Sequence, residues 1–355
     1  MNISLDGIVL SNALSAITRI APPAVGNITL KSDGKVFTLS SYSDAAYCSY
    51  TVPSESVGGE AEFCIPIDSF KSAIVKRKAL SLKYENTTLK IASKNFQISL
   101  ATSDAIAYDT PADKNVIEQW VITPEQGSWL KQAVKSCALA PTVINPSPAL
   151  TIKLTDNNAF VCCYGEDHLA FTFSKEVKGK MEVTLPVDTI LSVLEVFAGQ
   201  SFKIQRTENR LKVFNKLCRV SISLPAQEYL PVSTILDTAR NANKAEGKII
   251  SLHKEEIINF LTNASALASK ERLGIKFLGD ASKLRLQIQS INGQCATVIK
   301  GNNDGINFDL DSVYFREAID KCNEEVMIKW VQKDLEYVYI PTKTAHFLIA
   351  TSQRT

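Results

Sequence analysis

The sequence predicts an α+β protein made of three repeated domains, each with two helices packed on antiparallel sheets. Two observations carry this. One strand-to-helix phrase occurs three times at domain-length spacing, and short alternating runs punctuated by turn residues surround each copy. The clearest copy is Val183-Thr-Leu-Pro-Val-Asp-Thr-Ile-Leu-Ser-Val-Leu194. Val183 and Leu185 alternate with Thr184 and Pro186, and Asp188 or Thr189 supplies an N-cap. Ile190, Val193, Leu194 and Phe197 then recur at helical spacing. The same phrase stands earlier as Phe63-Cys-Ile-Pro-Ile-Asp-Ser-Phe-Lys-Ser-Ala-Ile74, and more loosely from Ile306 to Ile319. With Asp68, Asp188 and Asp311 as the capping residues, the two steps are 120 and 123 residues. A period that long is a domain rather than a solenoid unit. The expected domains are residues 1–120, 121–240 and 241–355.

The first domain opens with a helix over residues 8–19, whose stripe is Leu10, Ala13, Leu14 and Ile17; Pro22-Pro23 stops it. Runs at Asn27 to Lys31 and Val36 to Ser40 flank Ser32-Asp33-Gly34-Lys35, a hairpin turn, and a third strand lies near Ala46 to Val52. After the key helix come Leu80–Tyr84, Leu89–Ile91 and Phe96–Leu100. The second domain repeats this order. Thr123-Pro124-Glu125 starts its first helix with proline at the first helical position, and Leu130, Ala133, Val134 and Cys137 form the stripe. Strands follow at Leu150–Leu154, Ala159–Tyr164 and His168–Phe173, and after the key helix at Phe202–Arg206, Leu211–Phe214 and Leu217–Leu224. Residues 236–247 are expected to be a polar connector, because Asp237, Arg240, Asn241, Asn243, Lys244 and Gly247 crowd it. The third domain begins with a helix over Lys254–Ser269, striped by Ile257, Phe260, Leu261, Ala264 and Ala268. Strands at Leu273–Leu278, Leu284–Ser290 and Gln294–Ile299 precede the third phrase. Val326–Val331, Leu335–Ile340 and His346–Ala350 close the chain.

Composition agrees. At 355 residues there is room for two or three domains, and 45% hydrophobic with 21% charged residues is ordinary for soluble globular protein. A formal net charge of +2 does not mark a nucleic-acid binder, so any DNA-facing surface must come from how charge is distributed. Eight cysteines, with Cys162-Cys163 adjacent and no C-x-x-C, suggest neither a zinc site nor a disulfide scaffold. They read as reduced, buried thiols of a cytoplasmic protein. The N-terminus has no basic n-region, and no stretch approaches ~18 uninterrupted apolar residues, so neither a signal peptide nor a membrane span is expected.

The pattern resembles a known family. Three domains, each a doubled helix-and-sheet unit, resemble the bacterial-type DNA sliding clamp, the beta subunit of DNA polymerase III. Val183-Thr-Leu-Pro-Val-Asp-Thr189 is similar to that family's strand-to-helix turn in its middle domain, and Ser221-Ile-Ser-Leu-Pro-Ala-Gln-Glu-Tyr229 to its exit from that domain. The resemblance covers the full chain in domain order and is strongest in the middle; the divergence suits a phage-encoded or distant bacterial member. It implies a homodimeric head-to-tail ring with helices lining a hole and sheets outside. Such a ring holds a polymerase on double-stranded DNA without reading sequence, through few, salt-sensitive phosphate contacts.

The helices offer candidate DNA-facing cations: Arg19, Lys71, Lys76, Lys131, Lys135 and Lys270. Lys131 and Lys135 lie four apart, opposite Leu130 and Val134, whereas Arg316, Glu317, Asp320 and Lys321 cancel on the last helix. From charge alone a plain solvated helix face is the default reading for any one of these. The resemblance also implies a hydrophobic pocket that takes short peptides from the polymerase and the clamp loader. The matching positions are Leu169, Phe347, Leu348 and Ile349, with His168 where the family commonly has arginine and Ile349-Ala350 where it commonly has a Met-Pro pair. For an enzyme there is no G-x-x-x-x-G-K-[ST], no strand-linked G-x-G-x-x-G and no G-x-S-x-G, and His168, His253 and His346 have no metal-ligand spacing. No catalytic residue, metal or cofactor is expected. A non-enzymatic oligomeric scaffold, such as a phage structural protein, is the alternative.

Overall fold

The structure, a computed structural model, describes residues 1–105, 115–141, 148–165, 167–224, 232–267, 273–301, 303–332 and 336–351. The first repeat runs β1 (Asn2–Asp6), α1 (Gly7–Ile20), β2 (Asn27–Asp33), β3 (Phe37–Tyr42), β4 (Ala46–Val52), β5 (Ser56–Gly58), β6 (Glu60–Pro66), α2 (Ile67–Ile74), β7 (Ala79–Glu85), β8 (Thr88–Ser93), β9 (Phe96–Ala101) and β10 (Ser103–Asp104). The second is β11 (Glu118–Ile122), α3 (Pro124–Cys137), β12 (Ala149–Leu154), β13 (Ala159–Tyr164), β14 (His168–Ser174), β15 (Met181–Pro186), α4 (Val187–Val196), β16 (Phe202–Arg206), β17 (Arg210–Phe214) and β18 (Cys218–Ser223). Then comes α5 (Val232–Lys244). The third repeat is β19 (Lys248–His253), α6 (Lys254–Ala264), a short 3-10 turn (Ser265–Leu267), β20 (Gly274–Gly279), β21 (Lys283–Ser290), β22 (Gly293–Lys300), β23 (Asn307–Asp311), α7 (Ser312–Asp320), β24 (Glu325–Val331), β25 (Tyr337–Pro341) and β26 (His346–Ala350).

Pairing shows the repeat more plainly than sequence does. In each copy a leading strand pairs antiparallel with the first strand after the second helix: β1 with β7, β11 with β16, β19 with β24. Reciprocally, the strand after the first helix pairs with the strand before the second: β2 with β6, β12 with β15, β20 with β23. The fold is α+β and all of these ladders are antiparallel. The leading strands are absent from the sequence reading above. They are only five or six residues long, and their partners lie beyond two helices and at least four strands.

The predicted apolar stripes face inward. Leu10, Ala13, Leu14 and Ile17 are buried on α1, Phe70, Ala73 and Ile74 on α2, and Leu130, Ala133, Val134 and Cys137 on α3. Ile257, Phe260, Leu261 and Ala264 are buried on α6; Ala268 lies outside the described residues. The caps need correction. Asp311 is the N-cap of α7 and accepts from Val313 N at 2.8 Å and Tyr314 N at 3.3 Å. Asp68 and Asp188 are not caps: α2 and α4 begin one residue earlier, at Ile67 and Val187, and both aspartates sit in the first turn. Pro66 holds the cap position of α2 with no side-chain bond to give. The carboxylates at Asp68 and Asp188 act on the helix dipole instead. At α3, Thr123 and Gln126 close a capping box, Thr123 Oγ1 accepting from Gln126 N at 3.3 Å and Gln126 Oε1 from Thr123 N at 3.1 Å.

Residues 236–247 are the larger correction. No polar connector stands there: residues 232–244 form helix α5, with Ile235, Ala239 and Ala242 buried. These three recur at i, i+4 and i+7, so the polar residues that dominated the composition fall on the outer face.

Two compact units divide the chain. One comprises Met1–Ser128 with Asp188–Gln227, the other Trp129–Val187 with Glu228–Thr355. The first holds a five-stranded sheet, β5-β1-β7-β8-β9, and a nine-stranded sheet, β10-β6-β2-β3-β4-β18-β17-β16-β11. The second holds an eight-stranded sheet, β15-β12-β13-β14-β26-β25-β24-β19, and a four-stranded sheet, β22-β21-β20-β23. Each unit thus gathers one outer repeat and half of the middle one, joined through a single strand pair. In the first unit that joint is β4–β18, from Cys218↔Tyr50 to Ile222↔Ala46. In the second it is β14–β26, from His168↔Ile349 to Phe171↔His346.

Candidate nucleic-acid interface and partner groove

Arg19, Lys71, Lys76 and Lys135 are exposed, and Lys131 is half-buried. Arg19, in the last turn of α1, is ion-paired with Glu195 of α4. An exposed pair of this kind contributes about 0–1 kcal/mol, so a phosphate could take the guanidinium at small cost. Lys71 is in the last turn of α2, and Lys76 follows that helix in the left-handed region, φ 60°. Its neighbour Arg77 is used otherwise: Nε donates to Ala73 O at 2.9 Å, and the guanidinium lies 3.4 Å from the centroid of Phe96. Lys131 and Lys135 stand on α3 outside its buried stripe. Lys270 lies outside the described residues. The structure therefore places three of these cations in the first unit and two in the second.

The charges on α7 do not simply cancel in solvent. Lys321 Nζ donates to Ser136 O at 2.9 Å and Ala138 O at 2.7 Å, at the C-terminal end of α3, and lies 5.3 Å from the Phe347 ring. Glu317 Oε1 accepts from Ala140 N at 2.6 Å. Burial pushes the Lys321 ammonium down and the Glu317 carboxyl up from their ordinary values. Within the second unit these two side chains fasten α7 to the end of α3. Arg316 and Asp320 do remain a surface pair at 3.9 Å.

Leu169, Phe347, Leu348 and Ile349 meet at the β14–β26 joint, and all four are buried. Alternation divides them. Residues paired across a ladder share a face, so Leu169 and Leu348 point one way, with Phe171 and His346. Ile349 and Phe347 point the other way, with His168 and Ala170; there His168 stacks on Tyr314 of α7 with centroids 3.5 Å apart. The Leu169–Leu348 face carries a cluster of Phe160, Cys162, Leu169, Phe171, Tyr339 and Leu348, and α5 lies on it through Ile235, Ala239 and Ala242. On the same face His346 Nδ1 is 2.8 Å from Tyr339 Oη, and burial lowers the imidazole's pKa. Sequence reasoning missed α5 as part of this surface. Its signal was present but small, one isoleucine and two alanines at helical spacing.

Among the described residues no helix is long and apolar enough to cross a membrane, and no group of three or more His, Cys, Asp or Glu is placed to hold a metal ion. All eight cysteines are free thiols, with Cys295 half-buried and the others buried. Burial pushes Cys162 and Cys163 up to about 12.

No protein-family model and no curated protein matches the sequence. Solved structures do match in fold over the whole chain. The DNA polymerase III beta subunit of Thermotoga maritima superposes with a TM-score of 0.83 at 13% identity, covering 100% of both chains. That of Pseudomonas aeruginosa gives 0.81 at 12%, again over 100% of both. The beta clamp of Helicobacter pylori, in a structure bound to a DNA ligase peptide, gives 0.72 at 16%, over 99% of this chain and 100% of that one. The chain has the fold of these beta subunits.

Proposed function

We propose that a chain with this fold works as a DNA sliding clamp: two copies close head to tail around duplex DNA and tether a replicative polymerase. In this reading it is a cytoplasmic accessory subunit without catalytic chemistry of its own, with domains at residues 1–120, 121–240 and 241–355. The full-length likeness to beta subunits at low identity supports it, but one observation in the chain itself carries it. Each internal joint pairs the third strand of the first half of one repeat with the third strand of the second half of the next: β4 with β18, β14 with β26. Continuing that rule leaves β22 and β9 over. Both are sheet edges. Both also have an inward row that stays half-exposed, Phe96, Ile98 and Leu100 on β9 and Cys295, Thr297 and Ile299 on β22. An open edge above an unfinished core invites another strand. A heterologous contact between β22 of one copy and β9 of the next, made twice, closes a ring.

DNA would be held by the scattered helix cations through phosphates, in keeping with the modest net charge of +2. Partners such as the polymerase and a clamp loader would dock short peptides on the Leu169–Leu348 face; a Helicobacter pylori beta clamp of the same fold has been solved bound to a DNA ligase peptide. The test combines mass with topology. Light scattering should give twice the 39.0 kDa chain mass. Protein recovered with nicked circular DNA in high salt should be shed when that DNA is linearised; equal retention on both forms overturns the proposal. Lys131→Glu with Lys135→Glu should cut retention and polymerase processivity while the thermal midpoint shifts little, because Lys135 is exposed and Lys131 half-buried outside the apolar stripe, and surface substitutions usually shift stability by within about 0.5 kcal/mol. Unchanged processivity at low and moderate salt would return these lysines to an ordinary solvated face.

A further inference from the structure

The two faces of the nine-stranded sheet differ in charge. Residues paired across a ladder share a face. One row, Ile204↔Val213↔Val220↔Cys48, is buried, and α1 packs over β3 and β4 on that side. The adjacent row, Val121↔Lys203↔Phe214↔Arg219↔Ser49, crosses five strands on the opposite face. By alternation Arg210 and Lys212 of β17 and Tyr47 of β4 stand on that face as well. Over β11, β16, β17, β18 and β4 it therefore carries Lys203, Arg210, Lys212 and Arg219 and no aspartate or glutamate. The acid those strands do contain, Glu118, is on the other face, 3.6 Å from Arg206. Asp44 and Glu208 lie on the turns that end β3 and β16. The whole chain has 39 basic and 37 acidic residues, so the imbalance is local. Lys203 and Arg219 are exposed, and Phe214 and Tyr47 half-buried. Lys203, Arg210 and Arg219 make no ion pair among the described residues. Arg210 Nε donates to Ser221 Oγ at 3.0 Å, which ties the guanidinium to the neighbouring strand.

We propose that this outer face binds single-stranded nucleic acid without reading its sequence, Lys203, Arg210 and Arg219 holding phosphates while Phe214 and Tyr47 stack on bases. Cation, aromatic and cation follow one another across β16, β17 and β18, and a single strand presents the complement, charge alternating with flat rings. At the usual strand spacing Lys203 and Arg219 stand roughly 10 Å apart with Phe214 between them. A duplex keeps its rings inside the stack and an acidic peptide brings none, so neither would use the aromatic side chains. In the clamp reading the helices face the hole, and this surface meets a strand outside it. The proposal does not need the ring.

The probe is a fluorescein-labelled oligothymidylate of about 16 nucleotides, read by anisotropy in low salt. Lys203→Gln with Arg219→Gln should weaken its binding on the order of tenfold. The same pair should make the log–log salt dependence shallower by about 1.4, since each phosphate contact on a single strand contributes about 0.7. Phe214→Leu keeps an apolar side chain and loses the flat ring, so it should weaken binding on the order of tenfold with the salt slope unchanged. Retention on nicked circular duplex should be the same in parent and variants, which separates this face from the ring. An oligothymidylate that does not bind, or that binds the parent and the Lys203→Gln, Arg219→Gln protein equally, overturns the proposal. So does an oligoglutamate that competes as strongly as the oligonucleotide while Phe214→Leu changes nothing, which makes the face a dock for acidic protein. Should circular dichroism show Phe214→Leu unfolded, the affinity and salt slope of the Lys203→Gln, Arg219→Gln protein decide the matter.

Discussion

Lys321 reads in the sequence as one charge among four on a balanced helix, and in the structure it is a hydrogen-bond donor to another helix's last carbonyls. Replacing it with methionine keeps most of the apolar stem and removes the donor. Two partly buried carbonyls then lose their partner, so Lys321→Met should cost about 1–3 kcal/mol in urea denaturation. An unchanged midpoint would mean that water serves those carbonyls as well. The residue types gave no warning, because Ser136 and Ala138 contribute only backbone oxygens. His346 illustrates the same gap. Its pKa is lowered by burial beside Tyr339 and Phe171. The unfolded chain therefore takes up a proton that the folded chain resists. The contribution is present above the ordinary histidine value of about 6.5 and is lost as pH falls from there through the folded value. His346→Gln should flatten this limb of the stability–pH curve. A slope identical to the parent between those values would show that His346 is hydrated.

At the scale of elements, legibility followed the size of the buried side chains. The stripes of α1 and α6 could be read because leucine, isoleucine and phenylalanine repeat at the helical period, and that of α3 because Leu130, Val134 and Cys137 do. The hairpin between β7 and β8 turns at Asn86-Thr87, in the left-handed conformation that asparagine tolerates, φ 47° and 57°. α5 escaped because alanine carries almost no apolar signal, and β1, β11 and β19 because their pairing is remote. Of the groove, Leu169 and Leu348 were legible as apolar strand positions. Their separation from Phe347 and Ile349 was not, since it depends on which ladder joins β14. The cap correction has a measurable consequence. Asp311→Ala removes two bonds to the first turn of α7 and should cost about 1 kcal/mol. Asp68→Ala and Asp188→Ala lose only the interaction with the helix dipole, about 0.3–1 kcal/mol and less in salt. Urea midpoints in low and high salt separate the cases; a salt-sensitive loss at Asp311 equal to the other two would contradict its capping role.

For the whole molecule the decisive feature is the repeated joint. Ile98→Arg with Leu100→Arg places two charges on the unfinished edge of β9. Light scattering should then give 39.0 kDa rather than twice that mass, with circular dichroism unchanged; a persisting dimer would place the contact elsewhere. Cys295 offers a second readout, since it lies on β22 and is half-buried in the single chain. A thiol reagent should modify it readily in the Ile98→Arg, Leu100→Arg protein and slowly in the closed dimer. The joint also has a direction. At every junction the first half of one repeat meets the second half of the next, never a half of its own kind. Two chains closed by that rule are related by a rotation about the axis of the hole, so neither is turned over relative to the other. Such an object has a front and a back. In the proposed ring both copies of the α5-covered surface would lie on the same side, and anything moored to one copy would travel on that side with a second, identical mooring in reach.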